Sequence, residues 1–257
     1  MAIQIIAGFI ETLTHMEKQR FEFFIYPQEV DYTKRMTLTA LGSCLLNAAG
    51  LAAAEKGFGM EAMHAQGWAW VVSRLAVEMK HYPTQYEKIT VETWVNDCGR
   101  LVTTRNFSIF NAAGERLGDA TSLWSMIDLS TRRPVNLQEK MDLSDVIIAE
   151  PAFIEAPARL DELHLEPITT HTVHYSDIDL NKHTNSMKYV EWMLNTFDLA
   201  QFEHRILARF DVNYTHEALF GEQIAIVRAD TEHETHFDLR SSSGRSLCKT
   251  RMVFKSE

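Results

Sequence analysis

Two kinds of hydrophobic pattern alternate along the chain. Residues 21–26, 68–77, 89–95, 101–110 and 117–129 are rich in β-branched and aromatic side chains, several in strict alternation with polar ones. They are punctuated by Pro27, Tyr82-Pro83-Thr84, Asp97-Cys98-Gly99 and Asn111-Ala112-Ala113-Gly114. Such runs predict strands, and Gly99 and Gly114 suit hairpin turns. Between the first and second run the period changes. Leu38, Leu41, Leu45, Ala48 and Ala52 keep helical spacing until Gly57 and Gly59. Most of the remaining positions there are Ala, Gly or Ser, and a helix that is small and apolar nearly all round is a buried one.

The same order then recurs. A short strand over 169–175 leads into a helix over 186–199, carried by Met187, Val190, Leu194 and Phe197 at spacings of three, four and three. Strand-like runs follow at 206–215, 223–228, 235–240 and 246–254, with Ser241-Ser242-Ser243-Gly244 as the last hairpin turn. Strand, helix and four strands thus occur twice, about 140 residues apart, a repeat of supersecondary order without obvious residue identity. One helix per half beside runs of strands indicates an α+β fold. Residues 131–167 lack a clean period and hold Pro134, Pro151, Pro157 and Pro167. They read as a linker with some helix over 137–146, which divides the chain into 1–135, 136–167 and 168–257. Trp94 and Trp124 read as ordinary core.

The second helix is preceded by an unusual polar stretch. Asp179, Asn181 and His183 alternate with Leu180 and Lys182. On an extended backbone, side chains two apart point the same way, so a carboxylate, an amide and an imidazole can converge. Asn185 is placed as an N-cap, and the backbone N–H groups behind it can stabilise a developing negative charge. A calcium loop is excluded, because the sixth and twelfth positions counted from Asp177 are Lys182 and Lys188 in place of Gly and Glu. A transition-metal site is disfavoured: His171 and His174 stand three apart on an expected strand and so face opposite sides, and no Cys pair or His-Glu-x-x-His occurs. A polar loop that only caps the helix stays open on spacing alone. The first helix has no comparable cluster; the corresponding stretch is Val30-Asp31-Tyr32-Thr33-Lys34-Arg35. A second cluster, His216-Glu217, ends the strand after the second helix. The repeat topology lets that strand pass beside the polar loop and bring Glu217 to Asp179, Asn181 and His183.

Composition narrows the setting. The 257 residues are 46% hydrophobic, enough for a sizeable core, and the net charge of −10 argues against a general nucleic-acid binder. Cys44, Cys98 and Cys248 are few and scattered, which fits a reducing compartment without a disulfide framework. Residues 1–10 are apolar but lack a basic start and a cleavage site, so they read as an extension rather than a signal peptide. No stretch approaches the roughly 20 apolar residues of a membrane helix. A cytoplasmic protein without a membrane span is the expectation.

These residues resemble a known family. Asp179-x-Asn181-x-His183-x-Asn185, followed by Lys188-Tyr189 and Trp192, looks like the signature of the acyl-acyl-carrier-protein (acyl-ACP) thioesterases. In the first half, Trp70-Val71-Val72-Ser73-Arg74, Tyr82-Pro83-Thr84, Thr93-Trp94-Val95, Ser122-Leu123-Trp124-Ser125-Met126 and Asp128-Leu129-Ser130-Thr131-Arg132-Arg133 are similar to that family in the same order. The resemblance implies a double hot-dog, two long helices each wrapped by an antiparallel sheet. It implies hydrolysis of fatty acyl-ACP esters without cofactor or metal, and the catalytic set Asp179, Asn181, His183 and Glu217. Many plant members carry Cys directly after that Glu, whereas this chain has Ala218. The resemblance also implies an acyl tunnel in the first half, for which Met60, Met63, Trp68 and Trp70 are candidates, with Asn185 at the thioester end.

Chemistry leaves two routes open. Glu217 or Asp179 activates water as a general base, with Asn181 and His183 orienting it. In the other route Asp179 attacks directly to give an anhydride. The acyl carrier protein is the expected partner; Lys34, Arg35, Arg132 and Arg133 are candidates for docking it, and a homodimer is compatible with the sequence. The alternatives are an acyl-CoA thioesterase, a hot-dog dehydratase and a non-catalytic acyl-binding module.

Overall fold

The structure, a computed structural model, describes residues 17–203 and 205–256, so the expected N-terminal extension lies outside the described residues. The first half runs β1 (Gln19–Phe24), α1 (Leu38–Glu55), α2 (Met60–His64), β2 (Trp68–Met79), β3 (Lys88–Cys98), β4 (Thr103–Asn111) and β5 (Arg116–Asp128). A short α3 (Leu137–Lys140) begins the connection. The second half runs β6 (Thr169–Thr172), α4 (Ser186–Leu194), α5 (Ala200–Glu203), β7 (Arg205–Tyr214), β8 (Gln223–Asp230), β9 (Glu234–Arg240) and β10 (Ser246–Ser256).

The two expected sheets are one continuous antiparallel sheet of ten strands, in the order β1-β3-β4-β5-β2-β7-β10-β9-β8-β6. The order reads the same from both ends if each strand is exchanged for its counterpart in the other half. The halves join where β2 pairs with β7, from Arg74↔Asn213 to Glu78↔Arg209. Leu75 and Val77 on β2 and Phe210 and Val212 on β7 face one shared core with both helices.

Helix α1 lies in that core. Leu41, Leu45 and Ala48 are fully buried. Over its 18 residues the mean hydropathy of 1.3 would suit a membrane span by length and composition, and burial in the core accounts for it. Its small residues let α4 approach: a Cβ at Gly42 would overlap Met187 Sδ.

Helix α4 stops at Leu194, five residues before the expected end at 199. The Thr196 hydroxyl donates to the Met193 carbonyl (2.7 Å) and the Arg228 guanidinium donates to the Thr196 carbonyl (2.8 Å), which ends the last turn. Phe197 still points inward, against Phe202, Phe237 and Phe254.

The connection through residues 141–167 is a strap across the sheet face away from the helices. Its backbone N–H groups at Ala158, Leu160 and Leu163 donate to Asp211, Asn213 and Asp238 at 3.1, 3.0 and 3.2 Å. Those three side chains are buried, and the strap supplies the donors that buried polar oxygens require.

Candidate active site

The polar loop before α4 is built on Asp179. Its Oδ1 accepts from the backbone N–H groups of Asn181 (2.8 Å) and His183 (3.1 Å). The Asp179 N–H donates to the His183 carbonyl (2.8 Å), and Lys182 N–H returns to the Asp179 carbonyl (3.0 Å). Closing so tight a loop puts Lys182 at φ 64, in the left-handed region. Behind it, the buried Asp177 carboxylate accepts from His174 N–H (2.8 Å) and Trp192 Nε1 (3.3 Å), with His171 Nε2 at 3.1 Å. Burial alone would push this carboxyl up, but these hydrogen bonds together hold it below the ordinary aspartate value. His171 and His174 do not face opposite sides. The strand ends at Thr172 and the chain turns, bringing the two rings to 5.6 Å in an edge contact. Among the described residues no three His, Cys, Asp or Glu side chains converge as metal ligands would.

The first half carries the same loop. Asp31 Oδ1 accepts from Thr33 and Arg35 N–H (2.8 and 3.3 Å), and Lys34 has φ 67. The polar stretch before the first helix is therefore a structural twin, contrary to expectation. What differs is the chemistry: Thr33 stands for Asn181 and Arg35 for His183. The register also matches at the next strand. Lys80 and His81 N–H reach the Leu117 carbonyl as Thr215 and His216 N–H reach that of Leu247. Tyr82 thus occupies the place of Glu217. The twin loop borders a smaller cavity of about 400 Å³, where Arg35 and Tyr82 lie. Lys34 shares that loop, so neither Lys34 nor Arg35 adjoins Glu217.

Glu217 meets the second loop. Thr184 Oγ1 donates to the Ala218 carbonyl (2.7 Å), and Ala218 N–H donates to the Tyr189 hydroxyl (2.8 Å). These bonds fasten the segment after β7 to the start of α4. Burial pushes the Tyr189 hydroxyl pKa up, so it stays protonated. Glu217 Oε1 then lies 3.2 Å from His183 Nδ1, and Oε2 accepts from Arg132 Nη2 at 2.8 Å. The His183 contact is an ion-pair distance only, and Oε1 is a buried oxygen without a hydrogen-bond donor.

Asp179, Asn181, His183 and Glu217 all line one cavity of about 800 Å³. Apolar side chains line it as well: Leu46, Ala49 and Ala53 of α1, then Phe58, Met60 and Trp70. Three of the expected lining residues, Trp68, Asn185 and Met63, are elsewhere. Trp68 packs beside the small cluster around Met63 and Leu137, and its ring takes the Lys140 ammonium at 5.7 Å. Asn185 caps α4, its Oδ1 accepting from Met187 N–H at 2.8 Å. Lys188 N–H goes to the Asn185 carbonyl, so of the first-turn donors the cap leaves that of Ser186, at the cavity wall. Met63 is buried core, and Trp124, expected to be core, borders the cavity.

Sequence reasoning missed Arg105. It borders the cavity on β4 with its guanidinium buried, donating to Thr93 Oγ1 at 3.3 Å. Burial pulls its pKa down to about 10, still cationic at neutral pH. No local signal in the sequence marks a buried arginine.

Comparison with known proteins follows the same division. The acyl-ACP thioesterase N-terminal domain matches residues 16–143 and the C-terminal domain matches residues 162–256. A chloroplastic palmitoyl-acyl carrier protein thioesterase of Gossypium hirsutum is 32% identical over 70% of this chain and 45% of its own length. A chloroplastic oleoyl-acyl carrier protein thioesterase of Arabidopsis thaliana is 24% identical over 90% of this chain and 68% of its own. The chain thus spans less than half of the Gossypium protein. The crystal structure of an acyl-ACP thioesterase from Bacteroides thetaiotaomicron superposes with a TM-score of 0.87 at 36% identity, covering 92% of this chain and 97% of that one. The 12:0-ACP thioesterase from Umbellularia californica shares the fold, with a TM-score of 0.82 at 22% identity, covering 93% and 97%. With both domains matched in order along one continuous double hot-dog sheet, the chain belongs to the acyl-ACP thioesterase family.

Proposed function

We propose that this protein hydrolyses fatty acyl-ACP thioesters to free fatty acid and carrier-protein thiol. The observation that carries the reading is one cavity lined both by apolar side chains and by Glu217, His183, Asn181 and Asp179. An acyl chain enters the apolar part, which sets the thioester carbonyl among the polar groups. Glu217 is the general base. Its Oε1 is buried at the site without a hydrogen bond from the protein, whereas Asp179 commits Oδ1 to two backbone N–H groups that shape its own loop. Glu217 removes a proton from water as the water oxygen bonds to the carbonyl carbon. The intermediate collapses with cleavage of the carbon–sulfur bond, and the proton passes from Glu217 to the leaving thiolate.

His183 orients the water, and the Asn181 amide and Ser186 N–H face the developing oxyanion. Asp179 frames the loop that presents both side chains. Ala218 follows Glu217 and all three cysteines lie elsewhere in the sequence, so a thiol nucleophile has no place in this scheme. Arg133, exposed next to Arg132 in sequence, suits an acidic carrier protein.

The test is thiol release from acyl-ACP and acyl-CoA esters of matched chain lengths, with Asp179→Ala and Glu217→Ala beside the wild type. Fast turnover of carrier-protein esters, lost in both variants, supports the reading. Preference for coenzyme A esters would make this an acyl-CoA thioesterase. Binding without turnover would make it an acyl-binding module.

A further inference from the structure

The second half does not hold Glu217 by itself. Arg132, from the first half, donates Nη2 to Glu217 Oε2 at 2.8 Å. The arginine is offered from a rigid turn. Asp128 Oδ1 accepts from the N–H groups of Ser130 (3.0 Å) and Thr131 (2.8 Å) and from both of their hydroxyls. Arg132 N–H donates to the Asp128 carbonyl (2.8 Å), Asp128 N–H to the Arg133 carbonyl (2.9 Å), and Leu129 N–H to Gly67 (2.8 Å). Within this frame Arg132 is held at φ 58, a left-handed conformation that a non-glycine residue adopts only when its surroundings impose it. Glu217 is fixed from its own side by Tyr189 and Thr184 through Ala218. Two rigid supports, one from each half, therefore meet at a single carboxylate.

The consequence for the carboxylate is geometric. A glutamate carboxylate rotates readily about its last torsion, which is broad and roughly two-fold. A guanidinium on one oxygen removes that freedom and settles which oxygen looks inward. Here Arg132 takes Oε2, and Oε1 is the oxygen left beside His183, buried and without a hydrogen bond. We propose that Arg132 is a positioning residue for the hydrolysis: it fixes the Glu217 carboxylate so that Oε1 alone receives the proton of the attacking water. This rests on the reading of Glu217 as general base. It also makes the site a composite of both halves, although the first half's own loop twin has lost the base.

The experiment compares wild type, Arg132→Ala and Arg132→Lys on two substrates carrying the same acyl group, acyl-ACP and the small acyl-N-acetylcysteamine thioester. Arg132 is half exposed, and an unchanged Tm verifies that the variants fold. The expected result for Arg132→Ala is a fall in kcat of about 10- to 100-fold on both substrates, as for a misplaced catalytic group, with KM within about threefold. Arg132→Lys, which keeps the charge without the planar fork, recovers part of kcat. A rise in KM confined to acyl-ACP, with kcat intact, would overturn the proposal and make Arg132 a docking contact. Unchanged kinetics on both substrates would overturn it as well. A wild type that turns over neither thioester would remove the functional reading itself, and the positioning role with it.

Discussion

The Tyr189 hydroxyl is the single atom that most directly ties the Glu217 segment to the helix carrying the polar loop. Replacing Tyr189 by Phe removes the acceptor of the Ala218 N–H, a bond of 2.8 Å at a residue 1% exposed. A buried N–H left without a partner costs about 1–3 kcal/mol. For a chain of this size each kcal/mol lowers Tm by about 2–4 °C, so a fall of several degrees is expected. The Ala218 carbonyl is still held by Thr184, so the segment tilts without detaching. A displacement near 1 Å of a group in the reacting geometry lowers the rate by about 100-fold. Tyr189→Phe should therefore reduce kcat for thiol release by about 10- to 100-fold while KM changes little, since the apolar walls that hold the acyl chain are untouched. Thermal melts and steady-state kinetics on one acyl-ACP substrate measure both effects. A variant that loses stability but keeps its full kcat would refute the claim that this bond places Glu217.

Other consequences concern stability. The Asp177 carboxyl is held below its ordinary value, so its ionised form contributes stability above the unfolded aspartate pKa of about 3.9, and that contribution is lost as pH falls through the folded value. Asp177→Asn should thus destabilise at pH 7, and its deficit against wild type should shrink below about pH 4 in urea melts. Gly42→Ala should lower stability by about 1–3 kcal/mol, because the new methyl overlaps Met187 Sδ where α1 crosses α4; denaturant unfolding tests it. Arg105→Met should be neutral or stabilising by about 1–4 kcal/mol, since it replaces a buried cation held by one side-chain hydrogen bond with an apolar chain of similar length. A loss of stability would show that the guanidinium is compensated within the fold.

Much of the architecture was legible because its signals are periodic. The two helices, the strand runs and the order of the repeat follow from spacing, and the approach of Glu217 to the loop at Asp179 follows from topology. Illegible features depend on contacts between distant residues. The pairing of β2 with β7 that merges two sheets into one is a long-range choice with no local marker. Arg132 reads in sequence as a surface cation, and its contact with Glu217 depends on a turn and a strand end 85 residues apart. His171 and His174 were misplaced by extending strand alternation two residues past its end at Thr172. The twin loop at Asp31 was hidden because its side chains changed while its backbone bonds did not.

The central claim is that Glu217 activates the water that attacks the thioester. Rapid-mix thiol release by Glu217→Gln, with enzyme and acyl-ACP at comparable concentrations, tests it most directly. The account predicts a rate lowered by about 100- to 10,000-fold with no initial burst, because the amide cannot accept the proton on which the first bond-making step depends. A burst of thiol equal to the enzyme present, followed by a stall, would contradict it. That result would mean that Asp179 attacks first and that Glu217 serves only the later hydrolysis of an acyl-enzyme.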